Sequence, residues 1–282
     1  MTSLAASLND YRHLPPQEAS PEARTWITRG ANFVVCYSEV QPGAAMSRPE
    51  QPDESMLFSI DAEGSVRGGR ETVDFSAGTL VIVPPGSSEV RFTRAGRILR
   101  LFSSQDIALA SSAGNASHYA EGAPGVAPPT PWPDPVDGFR LRKYDVADYV
   151  REGSRMRIFR CTNLMLNVML PREGPRDTRT LSPHAHADFE QGSFAIDGEW
   201  MHHVRYPWTP DLAEWRGDEH LAAGSPSLLV IPPKAIHTSR NVSDGTSWLL
   251  DIFAPPRLDF SLKPGAICNG ESYPLPDGSI VA

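Results

Sequence analysis

The sequence predicts an all-β protein made of two sandwich or barrel domains in tandem. Three observations predict it. The chain contains itself twice. Its apolar segments are short and stop at prolines. Turn signals recur about every 8–12 residues, at Gly43, Asp61 to Gly64, Gly68-Gly69, Gly86, Asp197-Gly198 and Asp244-Gly245. Pro 27 and Gly 22 fit a strand-and-turn protein better than a helical one.

The duplication is read in three pairs. "ITRGANFVVCYSEVQPG" from Ile27 aligns without gaps on "IFRCTNLMLNVMLPREG" from Ile158, so that Arg29 meets Arg160, Asn32 meets Asn163 and Gly43 meets Gly174. "VIVPPGSSE" (Val81 to Glu89) aligns on "LVIPPKAIH" (Leu229 to His237), and "ILRLF" (Ile98 to Phe102) on "LLDIF" (Leu249 to Phe253). Copies of this length suit duplicated domains rather than solenoid repeats. Phe33 to Val40 and Leu164 to Leu170 read as strands. Leu80 to Val83 and Leu228 to Ile231 do too, each stopped by Pro-Pro, because proline donates no ladder hydrogen bond. Helices are expected to be scarce, with a turn or two at most between Pro210 and Leu221. The expected units are an N-terminal domain over residues 1–110, a Pro/Gly/Ala-rich linker over 111–138, a C-terminal domain over 139–265 and a tail over 266–282. The aromatic residues of the linker point to its lying against a domain.

Composition excludes several roles. Lys+Arg 26 against Asp+Glu 34 gives a net charge of -8, and no basic run occurs, which argues against nucleic acid or an anionic membrane as partner. No apolar run reaches the length of a membrane span, and the N-terminus lacks the pattern of a signal peptide. Cys36, Cys161 and Cys268 are an odd number and far apart, so free thiols and a cytoplasmic setting are expected.

The chemistry concentrates in "SPHAHADFEQGSFAIDGEW", Ser182 to Trp200. In an extended strand, alternate side chains share a face, which puts His184, His186 and Glu190 together. His237, after the Pro-Pro turn, is the fourth candidate. Three imidazoles and a carboxylate suit a divalent first-row metal, with positions left open for substrate. The plain alternative is a group of surface or core histidines. The run from His184 to Glu190 followed by Gly198 resembles the first sequence motif of the cupin superfamily. "GSPSLLVIPPKAIHTSRN" (Gly224 to Asn241) resembles the second, with Pro232, His237 and Asn241 in place. Gly198 is one residue late, and Lys234 stands where the motif has glycine. The resemblance covers Leu141 to Phe260 well and Trp26 to Phe102 weakly. It implies two double-stranded β-helix (jelly-roll) barrels, a bicupin, with His184, His186, Glu190 and His237 binding one metal. In the first copy, Arg48, Glu50, Glu54 and Glu89 fall at those four positions. That barrel is expected to be metal-free and structural, or else to hold a small polar ligand or an Arg48–carboxylate network.

If Asp197-Gly198 is a two-residue hairpin turn, then Glu190, Gly192, Phe194 and Ile196 point inward, and Glu199, Met201, His203 and Arg205 do so too. His203 is then a candidate acid/base and Arg205 a carboxylate anchor. A bulge would offer His202 and Tyr206 instead, and the bland reading is a polar strand surface. Asp251 is either inward or at an interface. The expected function is a metal-dependent enzyme acting on a small oxygenated or anionic molecule. Fe2+ and a dioxygenase reaction are favoured, over an isomerase or lyase using Zn2+, Mn2+ or Ni2+, or a non-enzymatic sugar or metabolite binding protein. Exposed sheet edges or a swapped N-terminal strand would serve a homodimer.

Overall fold

The computed structural model describes residues 4–276; the end of the expected tail, residues 277–282, lies outside the described residues. The strands form two antiparallel jelly-roll barrels in tandem. In the first, Ala23–Arg29, Phe33–Val40, Gly96–Ser103, Ser55–Ser59 and Thr79–Val83 lie in one large sheet, faced by a four-stranded sheet of Ala45–Arg48, Ser88–Arg94, Glu63–Gly68 and Glu71–Phe75. The second repeats the plan. Ile158–Arg160, Met165–Val168, Thr246–Phe253, Gln191–Asp197 and Ser227–Ile231 form its large sheet, and Trp200–Arg205 is flanked by Glu219–Ala223 and Ile236–Asn241 in the other. The two Pro-Pro pairs end Thr79–Val83 and Ser227–Ile231 as expected. Gly43 and Gly174, equivalent in the duplication, both have left-handed φ (89° and 70°), the turn geometry that glycine tolerates best.

The barrels exchange edge strands. Ser7–Asp10 pairs with Ser227–Ile231 of the second barrel, Ser7 opposite Val230. Arg142–Asp145 pairs with Thr79–Val83 of the first, Arg142 opposite Ile82. Each large sheet thus has its open edge covered by a strand that precedes the other barrel in sequence. The boundaries drawn at 1–110 and 139–265 are corrected accordingly: residues 7–10 belong with the second sheet and 142–145 with the first. The linker lies against the body, with Tyr119 and Trp132 buried and Trp132 N–H donating to Thr162 C=O at 2.8 Å. Helices are short, Ile107–Ser111 and Leu258–Ser261 among them.

The two large sheets pack back to back. One hydrophobic cluster joins Tyr37, Phe58, Leu99 and Leu101 of the first to Phe194, Leu228, Leu250 and Ile252 of the second. Burying each such side chain stabilises by roughly 1.5–3 kcal/mol. The residues that alternate with them, Arg100 and Phe102 or Gln191, Asp251 and Phe253, therefore face the interior of their own barrel. Both faces of these strands are buried. Along Gln191–Asp197 every residue but the last is inaccessible.

Candidate metal centre

The backbone sets His184 beside His237. The two residues form an isolated antiparallel bridge, His184 N–H donating to His237 C=O at 3.1 Å and His237 N–H to His184 C=O at 2.8 Å. His186 is held by the turn before His237, whose Lys234 N–H donates to His186 C=O at 2.6 Å. Lys234 takes φ 66°, the left-handed region, which is why the related motif carries glycine there. Ring centroids are 4.4 Å apart for His184 and His237, and His186 is 5.1 Å from each. Phe189 stacks on His186 at 4.6 Å and gives the site an apolar wall.

The tautomers follow from the partners. His184 Nδ1 and His237 Nδ1 each lie 2.9 Å from a carbonyl oxygen, of Ser182 and Ala235. A carbonyl only accepts, so both Nδ1 atoms carry the proton and both Nε2 atoms present a lone pair. Burial lowers the pKa of His186 to about 3 and that of His237 to about 4, so both are neutral near pH 7.

Gln191 completes the group. Its Oε1 lies 2.9 Å from His186 Nε2 and 3.3 Å from His237 Nε2. Its Nε2 donates to Ser193 Oγ at 2.9 Å and to Asp251 Oδ1 at 3.0 Å. Those two acceptors fix which end of the amide faces the histidines. His237 Nε2 and Gln191 Oε1 are then two lone pairs facing each other without a shared proton, an arrangement that a cation satisfies. One donor atom from each histidine lies within 4.8 Å of the others. Nitrogens about 2.1 Å from one ion are at most about 4.2 Å apart. The group would have to close by about half an ångström to hold an ion, and His184 is its exposed member. The residues fit a divalent metal. Among the described residues this is the sole such cluster of metal-donor side chains.

Glu190 is not in the group. Bends at Ala187 and Asp188 break the strand alternation, and the Glu190 carboxylate turns toward the first barrel. It accepts Ala31 N–H at 2.6 Å and the Tyr119 hydroxyl at 3.1 Å. Burial pushes its pKa up to about 7. The lateness of Gly198 was the available signal: counted from Gln191 rather than Glu190, the glycine falls in place.

The inward placement of His203 and Arg205 is corrected too. A register shift between Ala195 and Asp197 moves the parity by one. Trp200, His202 and Val204 are buried, while Met201, His203 and Arg205 face away. His203 Nδ1 meets His220 Nδ1 at 2.8 Å, and Arg205 forks onto Asp218, with Nε 3.0 Å from Oδ1. Both line a shallow outer cleft. The residues a bulge would bring in are inside. His202 Nδ1 bonds Ser239 Oγ at 2.7 Å, and the Tyr206 hydroxyl accepts Ala6 N–H at 2.8 Å and donates to Glu219 at 2.9 Å. Gly192, Phe194 and Ile196 face the other barrel rather than the site.

A cavity of roughly 240 Å³ opens beside the histidines, lined by His184, Gln191, His237 and Asp251 and rimmed by Arg155, Arg172 and Arg176. Arg155 and Arg176 spend hydrogen bonds on carbonyls, of Leu170 and Ser239 at 2.7 and 2.9 Å. Burial and then the nearby charge of Arg172 lower the pKa of both. Asp251 points inward, and burial pushes its pKa up to about 6.

In the first barrel, Arg48 pairs with Asp106, Glu89 with Arg67 and Arg91, and Glu54 is buried between the barrels. Arg48 thus finds its carboxylate in Asp106, and none of Glu50, Glu54 and Glu89 pairs with it.

No family model matches the sequence, and no curated protein is similar to it. Solved structures are. The Lactobacillus farciminis oxalate decarboxylase, in a formate complex, is 14% identical with a TM-score of 0.60, over 91% of this chain and 87% of that one. The Bacillus subtilis oxalate decarboxylase, studied for its Mn(II) centres, is 13% identical with a TM-score of 0.60, over 94% and 82%. A cupin 2 conserved barrel domain protein from Leptotrichia buccalis is 11% identical with a TM-score of 0.51, over 89% and 97%. At such identities the likeness is one of fold, and the fold is that of the cupins.

Proposed function

We propose that this chain is a bicupin enzyme. Its C-terminal barrel holds one divalent transition metal through His184, His186, His237 and Gln191 and acts on a small, oxygenated, anionic organic molecule. The observation that carries this reading is the aimed donor set. Two histidines have Nδ1 anchored on carbonyls, and an amide oxygen is turned toward them by Ser193 and Asp251, all beside an arginine-rimmed cavity. When bound, the metal supplies a Lewis-acid centre with open positions for substrate and, if iron, dioxygen. Imidazole and amide ligands carry no charge of their own, so they would leave the charge of the ion undiminished for an anion. Arg172, with no ion-pair partner among the described residues, is placed to meet a carboxylate at the cavity mouth.

An Fe(II)-dependent dioxygenase is the first reading, because histidine-rich neutral sites suit Fe(II) and the cavity has room for two small ligands. A lyase or isomerase using Mn2+, Zn2+ or Ni2+ is the second. It is favoured by Asp251, a cavity carboxyl that can hold or release a proton near neutrality, and by the Mn(II) centres of a protein of like fold. Three free cysteines, two of them buried, support a reducing cytoplasm as the working compartment.

Anaerobic loading with Fe(II) or Mn(II), followed by oxygen-uptake and product assays on short hydroxy-, keto- and dicarboxylates, separates these readings. Oxygen uptake with Fe(II) that is lost in His186→Ala supports the dioxygenase. Turnover with Mn(II) and no oxygen uptake supports the lyase. A metal-loaded protein that turns over none of the panel is a binding protein, and one that retains no metal under any loading condition sinks the site.

A further inference from the structure

The first barrel has a second polar pocket, of roughly 280 Å³, beside Arg48 and Arg100, between the strands Ala23–Arg29 and Ala45–Arg48 and the short helix at Leu109. In the duplicated frame Arg48 stands where His184 does, and Arg100 where Asp251 does. Strand alternation points Arg100 inward, because its neighbours Leu99 and Leu101 pack between the barrels. The two guanidinium groups sit over the same ring, Arg48 at 5.0 Å and Arg100 at 5.7 Å from the Phe102 centroid.

Their charges are not equally balanced. Asp106 commits one carboxylate oxygen to Leu109 N–H, capping the short helix Ile107–Ser111, and the other to Arg48. Arg100 has no such partner. It is 9% exposed, its buried Nε has no hydrogen-bond partner, and no carboxylate among the described residues forms an ion pair with it. Glu18 lies on the exposed rim of the pocket without reaching Arg100. A buried cation without a counter-charge is costly to keep in a fold. A small anion in the pocket removes that cost.

We infer that the N-terminal barrel is an anion site that takes a compact monocarboxylate, its carboxylate on the Arg100 guanidinium. A planar fork of donors matches a carboxylate two bonds at a time. The other walls say what the rest of the ligand is. Thr25, whose hydroxyl meets that of Ser38, adds a polar wall, and Ile27, Met46 and Leu109 are apolar. A pocket of roughly 280 Å³ has room for a carboxylate on a short aliphatic body. Cys36 also lines the pocket, and burial pushes its pKa up to about 11, so it stays an uncharged thiol that does not repel an anion. The site is separate from the metal centre and does not depend on what that centre does.

The test is calorimetric titration of the full chain with sodium butyrate, with sodium chloride at equal ionic strength as control. Wild type and His186→Ala are expected to share one butyrate site of the same affinity, whatever the C-terminal cavity binds besides it, and butyrate is expected to raise their Tm. Arg100→Met preserves the bulk and removes the charge. It should lose at least tenfold in butyrate affinity and most of the Tm gain while its Tm without ligand is maintained or raised. If Arg100→Met does not fold, Arg100→Lys replaces it; that variant keeps the charge without the fork and should weaken binding by a smaller factor. The inference is overturned if wild type shows no saturable butyrate binding, if Arg100→Met binds as well as wild type, or if His186→Ala abolishes the binding.

Discussion

Glu54 and Glu190 make the same pair of hydrogen bonds in opposite directions across the interface between the barrels. Glu190 accepts Ala31 N–H at 2.6 Å and the Tyr119 hydroxyl at 3.1 Å. Glu54 accepts Thr162 N–H at 3.0 Å and the Tyr273 hydroxyl at 2.9 Å. Ala31 and Thr162 are equivalent in the duplication, as are the two glutamates. Each barrel therefore holds the other's first hairpin turn with a buried carboxyl, and burial raises the pKa of both. The duplicate keeps this contact where it has lost every imidazole, which marks it as architecture.

A pair of adjacent substitutions separates the two roles. Glu190→Gln is expected to retain a full equivalent of metal, because the amide still accepts one bond across the interface and touches no histidine. Glu190→Ala leaves a buried N–H and hydroxyl unpaired and should cost about 1–3 kcal/mol in urea unfolding, again with metal retained. Gln191→Ala, which also removes a donor from the buried Asp251, should in contrast weaken metal affinity at least tenfold. Metal content after dialysis against a weak chelator reads all three. Loss of metal in Glu190→Gln with retention in Gln191→Ala would return Glu190 to the site.

Asp251 acts on the metal through Gln191. Replacing it with leucine removes a buried carboxyl that is costly to ionise and one of the two acceptors that aim the amide. Relief of the buried charge is offset by the donors of Gln191 and Asn167 that lose their acceptor, so stability at pH 7 should change little, while metal affinity falls about 10–100-fold, the usual effect of losing a group that orients a ligand. Asp251→Asn keeps an oxygen acceptor and should fall between. Competition with a chromogenic chelator measures the affinities. Unchanged affinity in Asp251→Leu would show that Ser193 alone aims the amide.

His184, His186 and His237 were legible because spacing and a Pro-Pro turn bring them together by local geometry. Parity arguments failed one residue further on. A strand with one wet face shows which residues are inside, but Gln191–Asp197 is buried on both faces, so its pattern carries no direction. The bends at Ala187 and Asp188 and the bulge at Ala195 each shift the count by one, and only the late Gly198 hints at the first. Glu190 shares the parity of His184 and His186 only while the strand stays extended, and His203 is inward only without the bulge. The strand exchange was out of reach for another reason. Ser7–Asp10 and Arg142–Asp145 are four-residue strands whose partners lie far along the chain, and nothing local names them.

His202 supplies the pH dependence with the fewest confounding groups. Its folded pKa is about 4 against a reference of 6.5, because burial disfavours the charged ring. Below pH 6.5 the unfolded chain takes up this proton before the folded one does, so its contribution is full above pH 6.5 and is lost as pH falls toward 4. His202→Gln keeps a side chain able to bond Ser239 and does not titrate. It should be less stable than wild type at pH 7, and the gap should shrink by about 2–3 kcal/mol at pH 4.5. Glu190 and Asp251, whose raised pKa values act in the opposite sense, are common to both proteins and cancel in the difference. Urea unfolding at the two pH values reads it, and a gap that stays constant would mean that His202 is protonated in the folded chain.

The exchanged strand makes the metal centre depend on the N-terminus. Ser7–Asp10 covers the edge of Ser227–Ile231, which on its other side pairs with Gln191–Asp197, the strand that carries Gln191. Deleting residues 1–10 uncovers a strand that is buried along its whole length, "SLLVI". Such an edge is a template for another chain. It also frees the Tyr206 hydroxyl from Ala6 N–H, beside the strands that flank the histidines. The truncated chain should run as dimers or larger species in size-exclusion chromatography and bind metal less tightly, although it retains every ligand. A truncated chain that stays monomeric with wild-type metal content would show that the second sheet is complete without its borrowed strand.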